Sequence, residues 1–298
     1  MKENYRELFE AKIVKSVGGL ALIAKVIVEG YLSGLNKSRK IGYGMEFSQY
    51  RGYEPGDDLR LLDWKMLARS GRYYIKQSDI DSNIAVKFVL DASNSMRHEE
   101  EGLSKIDYVR ILIASLAYLA QKQGDAIGFF AYNENSAHHL YPSLKKAHFD
   151  RFLHELLEVE NSGIWKLDEL ESVKIHDRNH KELIFFITDL YEYHDELSNF
   201  IRSLKTPKNE VIVIQIIGNK ELRFDYKGLI LFEDLETGTK VKVDTKSVKK
   251  EYIKEMSQKI DSSKTFLLNC GVDFNLFELD DKVENVLHLF LKKRNKLI

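Results

Sequence analysis

Three observations predict a doubly wound, mostly parallel α/β sheet preceded by a helical and irregular β extension. Apolar runs of strand length recur along the chain: Ile84 to Leu90, Ala126 to Ala131, Leu183 to Ile187, Val211 to Ile217 and Val272 to Leu279. Segments of helical periodicity separate most of them, the alternation that builds a parallel sheet with crossover helices. Two of the runs lead straight into acidic side chains, Asp91 and Asp189. Carboxyl ends of strands are where open α/β sheets bind ligands.

From the beginning, Tyr5 to about Leu32 places Leu8, Ile13, Val17, Leu20, Ile23, Ile27 and Leu32 at mostly helical spacing. Gly18-Gly19 interrupts it, so two short helices or one kinked helix are expected. Asn36 to Asp81 alternates aromatic and charged residues, with turn signals at Glu54-Pro55-Gly56-Asp57 and Ser70-Gly71. That texture predicts an irregular, partly β segment laid against the main domain. The extension therefore covers 1–81 and the α/β domain 82–298.

Within the domain the order is strand Ile84 to Leu90, helix Lys105 to Gln123, strand Ala126 to Ala131 and edge strand Ala137 to Tyr141. A helix from His148 to Leu157 and a short helix from Leu167 precede the strand Leu183 to Ile187. Then come a helix from Asp195 to Leu204 and the strand Val211 to Ile217. Glu236-Thr237-Gly238-Thr239 divides Leu229 to Val243 into a hairpin. A helix from Ser247 to Leu268, a strand from Val272 to Leu279 and a helix from Val283 to Lys293 close the chain.

Composition excludes several classes of function. Lys and Arg number 45 against 46 Asp and Glu, so no global field draws the chain to nucleic acid or an anionic membrane. The basic tail Lys292, Lys293, Arg294 and Lys296 is read as a solvated end. A single cysteine, Cys270, rules out an internal disulfide or a Cys-rich metal cluster. It is read as a core thiol in a reducing compartment. The apolar run Val17 to Ala24 meets Lys25 and Glu29, short of the roughly 20 residues of a spanning helix. With Glu3, Glu7 and Glu10 near the start and no small-residue cleavage site, no leader is expected, and the predicted location is the cytoplasm.

The sharpest chemical signal is Asp91-Ala92-Ser93-Asn94-Ser95. It sets three oxygen side chains at alternate positions where a buried strand ends, a pattern suited to a divalent cation. One carboxylate and two hydroxyls are hard donors, apt for Mg²⁺ or Mn²⁺, and too few to close an octahedron. Asp189 joins them if both strands lie in one sheet. The candidate metal ligands are therefore Asp91, Ser93, Ser95 and Asp189. The same five residues also suit a turn and a helix cap.

These residues, with Gly44-Met45-Glu46-Phe47, Arg51 to Arg60, Asp63-Trp64-Lys65 and Ala68-Arg69, resemble domain-of-unknown-function family fifty-eight. Its members are von Willebrand factor A-like proteins associated with MoxR-type AAA+ ATPases. The resemblance spans nearly the whole chain and includes Phe232 to Gly238 and Gly271-Val272-Asp273. It implies a von Willebrand factor A-like fold and a metal-ion-dependent adhesion-type site at Asp91, Ser93, Ser95 and Asp189. It also implies chaperone-like work with such an ATPase on a client protein. A-type cation sites usually add a threonine from the loop before the fourth core strand, and Trp165 stands at that place here. An indole donates but offers no oxygen. Either the site binds through the four named residues and waters, or cation binding has been lost.

Other features read as structural. Arg51, Asp57, Asp58, Arg60, Asp63 and Arg69 suit an ion-pair network docking the extension, and Trp64 suits the core. His138-His139, His148 and His154 lack the spacing of a metal site. Gly34-Leu35-Asn36-Lys37-Ser38 lacks the glycine before lysine of a phosphate loop. A metal-dependent phosphohydrolase would want a second carboxylate two residues beyond Asp91, where Ser93 stands. The expected function is a non-enzymatic protein-binding module, with the phosphohydrolase and a metal-free adaptor of the same fold as alternatives.

Overall fold

The computed structural model describes residues 11–39, 50–53, 64–76, 84–166, 175, 181–192 and 195–297. The chain forms two compact units, Met1–Glu29 with Ile84–Leu297, and Gly30–Asn83 with Ile298.

The described residues open with two helices, α1 (Ala11–Val14) and α2 (Val17–Arg39). The break falls at Lys15-Ser16 rather than at Gly18-Gly19. The Ser16 hydroxyl accepts from the Gly19 amide at 3.1 Å and so starts the second helix. A Cβ at Gly19 would stand 2.2 Å from the Ile13 carbonyl, so the glycine permits the close turn instead of breaking the helix. Leu20, Ile23, Ala24, Ile27 and Val28 make one stripe, each no more than 3% exposed, at the spacing of a packed helix face. Contrary to the expectation from Val17 to Ala24 alone, Val17–Leu35 is long and apolar enough to cross a membrane, with mean hydropathy 1.4. Its few charges are too sparse to bring the average down.

The smaller unit pairs β1 (Tyr50–Gly52) antiparallel with β2 (Tyr74–Lys76) around α3 (Trp64–Ser70). Trp64 is 65% exposed rather than core, because it opens a seven-residue helix in which no residue is buried. Most of the expected ion-pair network, Asp57, Asp58, Arg60 and Asp63, lies outside the described residues.

In the larger unit, β3 (Ala85–Asp91) is followed by a small hairpin of β4 (Glu99–Glu100) and β5 (Leu103–Ser104), then α4 (Lys105–Lys122). Next come β6 (Ala126–Tyr132), β7 (Ala137–Ser143), α5 (His148–Glu158) and β8 (Glu182–Thr188). Then α6 (Glu196–Leu204), β9 (Asn209–Ile217), α7 (Asn219–Arg223), and the hairpin of β10 (Leu229–Glu233) and β11 (Lys240–Asp244). The chain closes with α8 (Thr245–Asn269), β12 (Asp273–Glu278) and α9 (Val283–Leu297). The helix expected from Leu167 lies outside the described residues.

Six strands form the main sheet in the order β12-β9-β8-β3-β6-β7, all parallel except the edge strand β7. The chain winds outward from β3 through β6 to β7, then returns to β8 and winds the other way. The order therefore reverses between β3 and β8, and the carboxyl ends of those two strands flank the switch point. Every residue of both is buried, as in a parallel sheet covered on both faces. Phe88 stacks on Phe185 and meets Phe152 edge-on, tying the central strands to α5.

The carboxyl tail is only partly a solvated end: Lys292 and Lys296 are exposed, but Arg294 is not. Arg294 is 6% exposed, its Nε and Nη2 donating to the two Asp125 oxygens at 2.6 and 3.0 Å. Lys293 pairs with Asp273, and Lys296 with Glu210 at 3.1 Å. A composition count cannot see this, because α9 returns the tail to the amino ends of the strands.

Candidate functional site

The sheet brings all four candidate ligands to its switch point. Asp91 is the last residue of β3 and fully buried. One of its oxygens accepts from the Ser93 amide at 3.0 Å and the other from the Thr188 hydroxyl at 2.7 Å. This local turn rotates Ser93 and then the short 3₁₀ segment Asn94–Arg97 back over the strand end. Ser93 Oγ and Ser95 Oγ stand 2.9 Å apart, and Ser95 Oγ donates to Asp189 Oδ1 at 3.1 Å. Thr188 ends β8 and Asp189 follows it, so hydrogen bonds link the ends of the two strands directly.

Three further charged groups meet there. Lys105, the first residue of α4, is 2% exposed, and its ammonium donates to Asp189 Oδ2 at 2.9 Å and to Glu221 Oε1 at 3.0 Å. Burial works against its charge, but the Asp189 and Glu221 carboxylates outweigh burial and hold its pKa above the ordinary lysine value. Glu236, at the tip of the β10–β11 hairpin, is the third. Burial first, then the Asp189 and Asp91 charges, push its carboxyl up to about 7, against a hydrogen bond from Ser95. Its Oε1 is buried without a hydrogen-bond partner. Burial, followed by the Asp189 charge, likewise pushes Asp91 up to about 6 against its bonds from Thr188 and Ser93.

Sequence reasoning missed Thr188 as a site residue, and missed Lys105, Glu221 and Glu236. Ser104-x-x-Asp107 is legible as a helix cap, and Ser104 does accept from the Asp107 amide at 3.2 Å. Nothing in that pattern says where the intervening lysine points. Glu236 sat inside a turn signal, which explained its place without assigning it a role.

The loop expected to hold the missing threonine does lie beside the first. Asn94 N donates to the Gly163 carbonyl at 2.9 Å, and Ser162 N to the Ala92 carbonyl at 3.0 Å. Gly163 has φ +56°, and a Cβ there would strike the Glu134 carboxylate at 2.5 Å, so glycine fits this crossing. Trp165 turns away into the core, 8% exposed, its ring centroid 5.3 Å from that of Phe186 and 5.4 Å from that of Phe200. The indole thus packs the sheet beneath the loop rather than occupying a ligand position.

Do these residues fit a divalent cation? Among the described residues, no group of three or more His, Cys, Asp or Glu side chains is placed to hold a metal. The donor set is therefore two carboxylates and two hydroxyls, with Glu236 adjacent to it. The hydroxyl and carboxylate oxygens lie 2.9 and 3.1 Å apart, near the roughly 3.0 Å edge of an octahedron with ligands at about 2.1 Å. Donor chemistry, spacing and the orphaned Glu236 oxygen all fit a hard cation.

The sequence model of the family described as "Protein of unknown function DUF58" matches residues 49–261. Uncharacterized proteins of Mycobacterium bovis and Mycobacterium tuberculosis are each 21% identical over 238 residues, 78% of this chain and 74% of theirs. Among solved structures, BatB of Bacteroides thetaiotaomicron is 13% identical, with TM-score 0.48, over 72% of this chain and 100% of that one. The SpRpn10 VWA domain is 11% identical, with TM-score 0.40, over 70% of this chain and 95% of that one.

Proposed function

We propose, from the premise that this chain belongs to the DUF58 family, that it is a non-enzymatic protein-interaction module whose binding edge is a Mg²⁺ or Mn²⁺ site. The observation that carries this is the chain of Ser93, Ser95 and Asp189 oxygens, linked at 2.9 and 3.1 Å, beside the buried Asp91. Asp91, Ser93, Ser95 and Asp189 would hold the cation. When bound, it supplies an electrophilic centre for a carboxylate from a partner protein. The residues themselves do the positioning: Thr188 fixes one Asp91 oxygen, the Ser93 amide fixes the other, and Gln215 holds the Asp189 carbonyl at 3.0 Å.

We assign the partner as a MoxR-type AAA+ ATPase, acting with this chain on a client protein in the cytoplasm. That assignment comes from the family resemblance alone. Ser93 stands where a phosphohydrolase would place its general acid, which disfavours that chemistry at this edge.

A metal-free adaptor is the second reading, favoured by one observation: the Lys105 ammonium already sits on Asp189. Calorimetric titration with Mn²⁺ separates the two. The intact protein should bind one ion and Asp91→Ala none, and chelator should release the ATPase from the intact protein. Ion binding unchanged by Asp91→Ala would sink the cation site. An ATPase complex indifferent to chelator would support the adaptor.

A further inference from the structure

Beside Ser95 and Asp189 opens a cleft of about 840 Å³ between the β10–β11 hairpin and α8, within the roughly 300–1,000 Å³ range of ligand pockets. Its floor is aromatic. Phe224, which caps α7, sits 4.5 Å from Tyr252 of α8 and 5.8 Å from Phe232 of the hairpin, and Phe232 meets Tyr226 edge-on at 5.1 Å. These mutual contacts fix the rings in place, so the platform exists before anything binds.

Its rim is acidic. Asp189, Glu221, Glu233, Asp234, Glu251 and Glu255 line the cleft, and no lysine or arginine does. Some of this charge is answered within the chain, since Lys105 pairs with Asp189 and Glu221, and Lys240 with Glu233. Glu251 and Glu255 form no such ion pair among the described residues. They share the α8 face that turns Val248 and Tyr252 into the cleft, because positions three, four and seven apart lie on one side of a helix. Two carboxylates thus stand side by side on the cleft wall, where a bound cation could meet both. Burial, then the Glu100 and Glu221 charges, push the Tyr226 phenol up to about 12, and burial, then Glu221 and Tyr226, do the same to Tyr252. The chain itself shows how a cation uses this wall, for the Lys259 ammonium lies 5.2 Å over the Tyr191 ring.

We propose that this cleft binds an extended segment of a partner protein presenting lysine or arginine between apolar side chains. The aromatic floor takes the apolar side chains and the stems of the basic ones. Glu251 and Glu255 take the charged heads. This goes beyond the cation site and does not depend on it, since the recognition is by charge and aromatic surface alone.

Fluorescence anisotropy on the full chain in chelator tests it, with a labelled, end-blocked peptide of alternating leucine and lysine. Counterparts carry glutamine or glutamate in place of lysine. The lysine peptide should bind about tenfold or more tighter than the glutamine peptide, and added salt should weaken it. The double variant Glu251→Gln, Glu255→Gln should lose about tenfold, and Tyr252→Ala should weaken the lysine and glutamine peptides alike. Both glutamates are exposed, so the double variant should fold as the parent does, checked by circular dichroism. Absence of binding, equal binding of the glutamate peptide, or no loss in the double variant would overturn the proposal. So would concentration-dependent self-association that the double variant abolishes, which would seat a second copy of this chain in the cleft.

Discussion

The two edges of the main sheet treat buried charge in opposite ways. At the amino edge, Asp125 is fully buried and Arg294 answers it with a two-pronged bond at 2.6 and 3.0 Å, helped by the Ile84 amide at 3.4 Å. One anion meets one cation, and the Asp125 oxygens are filled. At the carboxyl edge, Asp91, Asp189 and Glu236 crowd together, and the one ammonium among them in the described residues, Lys105, is shared with Glu221. The first arrangement closes a structure. The second leaves an excess of negative charge facing a cleft, which opposes the folded state until a cation or partner arrives. Buried charge therefore marks function here only where its compensation is incomplete.

Breaking the closed edge should cost the most. Arg294→Met leaves the Asp125 carboxylate buried and unanswered, and should lower unfolding free energy by about 3–5 kcal/mol in a denaturant titration. Added Mg²⁺ should not restore it, because nothing beside Asp125 offers a cation site.

Lys105→Met strikes the open edge. The carboxylates it leaves lie beside the cleft, so the expected loss is smaller, about 2–3 kcal/mol. Mg²⁺ should recover part of it by taking the place of the lost ammonium, read as a rise in melting temperature. A Lys105→Met protein equally stable with Mg²⁺ and with chelator would remove the distinction between the edges.

The smallest effect is expected from Glu236→Gln. It removes a charge adjacent to the donor set while leaving the set intact, so Mn²⁺ affinity should fall only about threefold by titration. A loss as complete as that expected for Asp91→Ala would promote Glu236 to a direct ligand.

Much of this was legible in the chain. The period and length of the apolar runs specified β3, β6, β8 and β9, since a strand buried on both faces must be apolar throughout. Strand ends bearing Asp91 and Asp189 marked the binding edge because parallel winding sends both to one side of the sheet. The hairpin followed from Glu236 to Thr239, where turn chemistry is local. Other assignments failed for equally physical reasons. Gly18-Gly19 looked like a helix break, yet the neighbouring backbone needed a missing Cβ at Gly19. Trp64 looked like core, yet its helix has no buried residue.

Long-range charge pairing, by contrast, came from packing. Arg294 reaches Asp125 across 169 positions and Lys105 reaches Glu221 across 116, separations over which no local pattern carries information. The apolar runs alone located the central strands, and so where two aspartates stand, because burial imposes its period on neighbouring residues. Whether those aspartates are neutralised depended on which distant side chains the fold carries to them. Local propensity places a side chain on an element, and packing alone chooses what it faces.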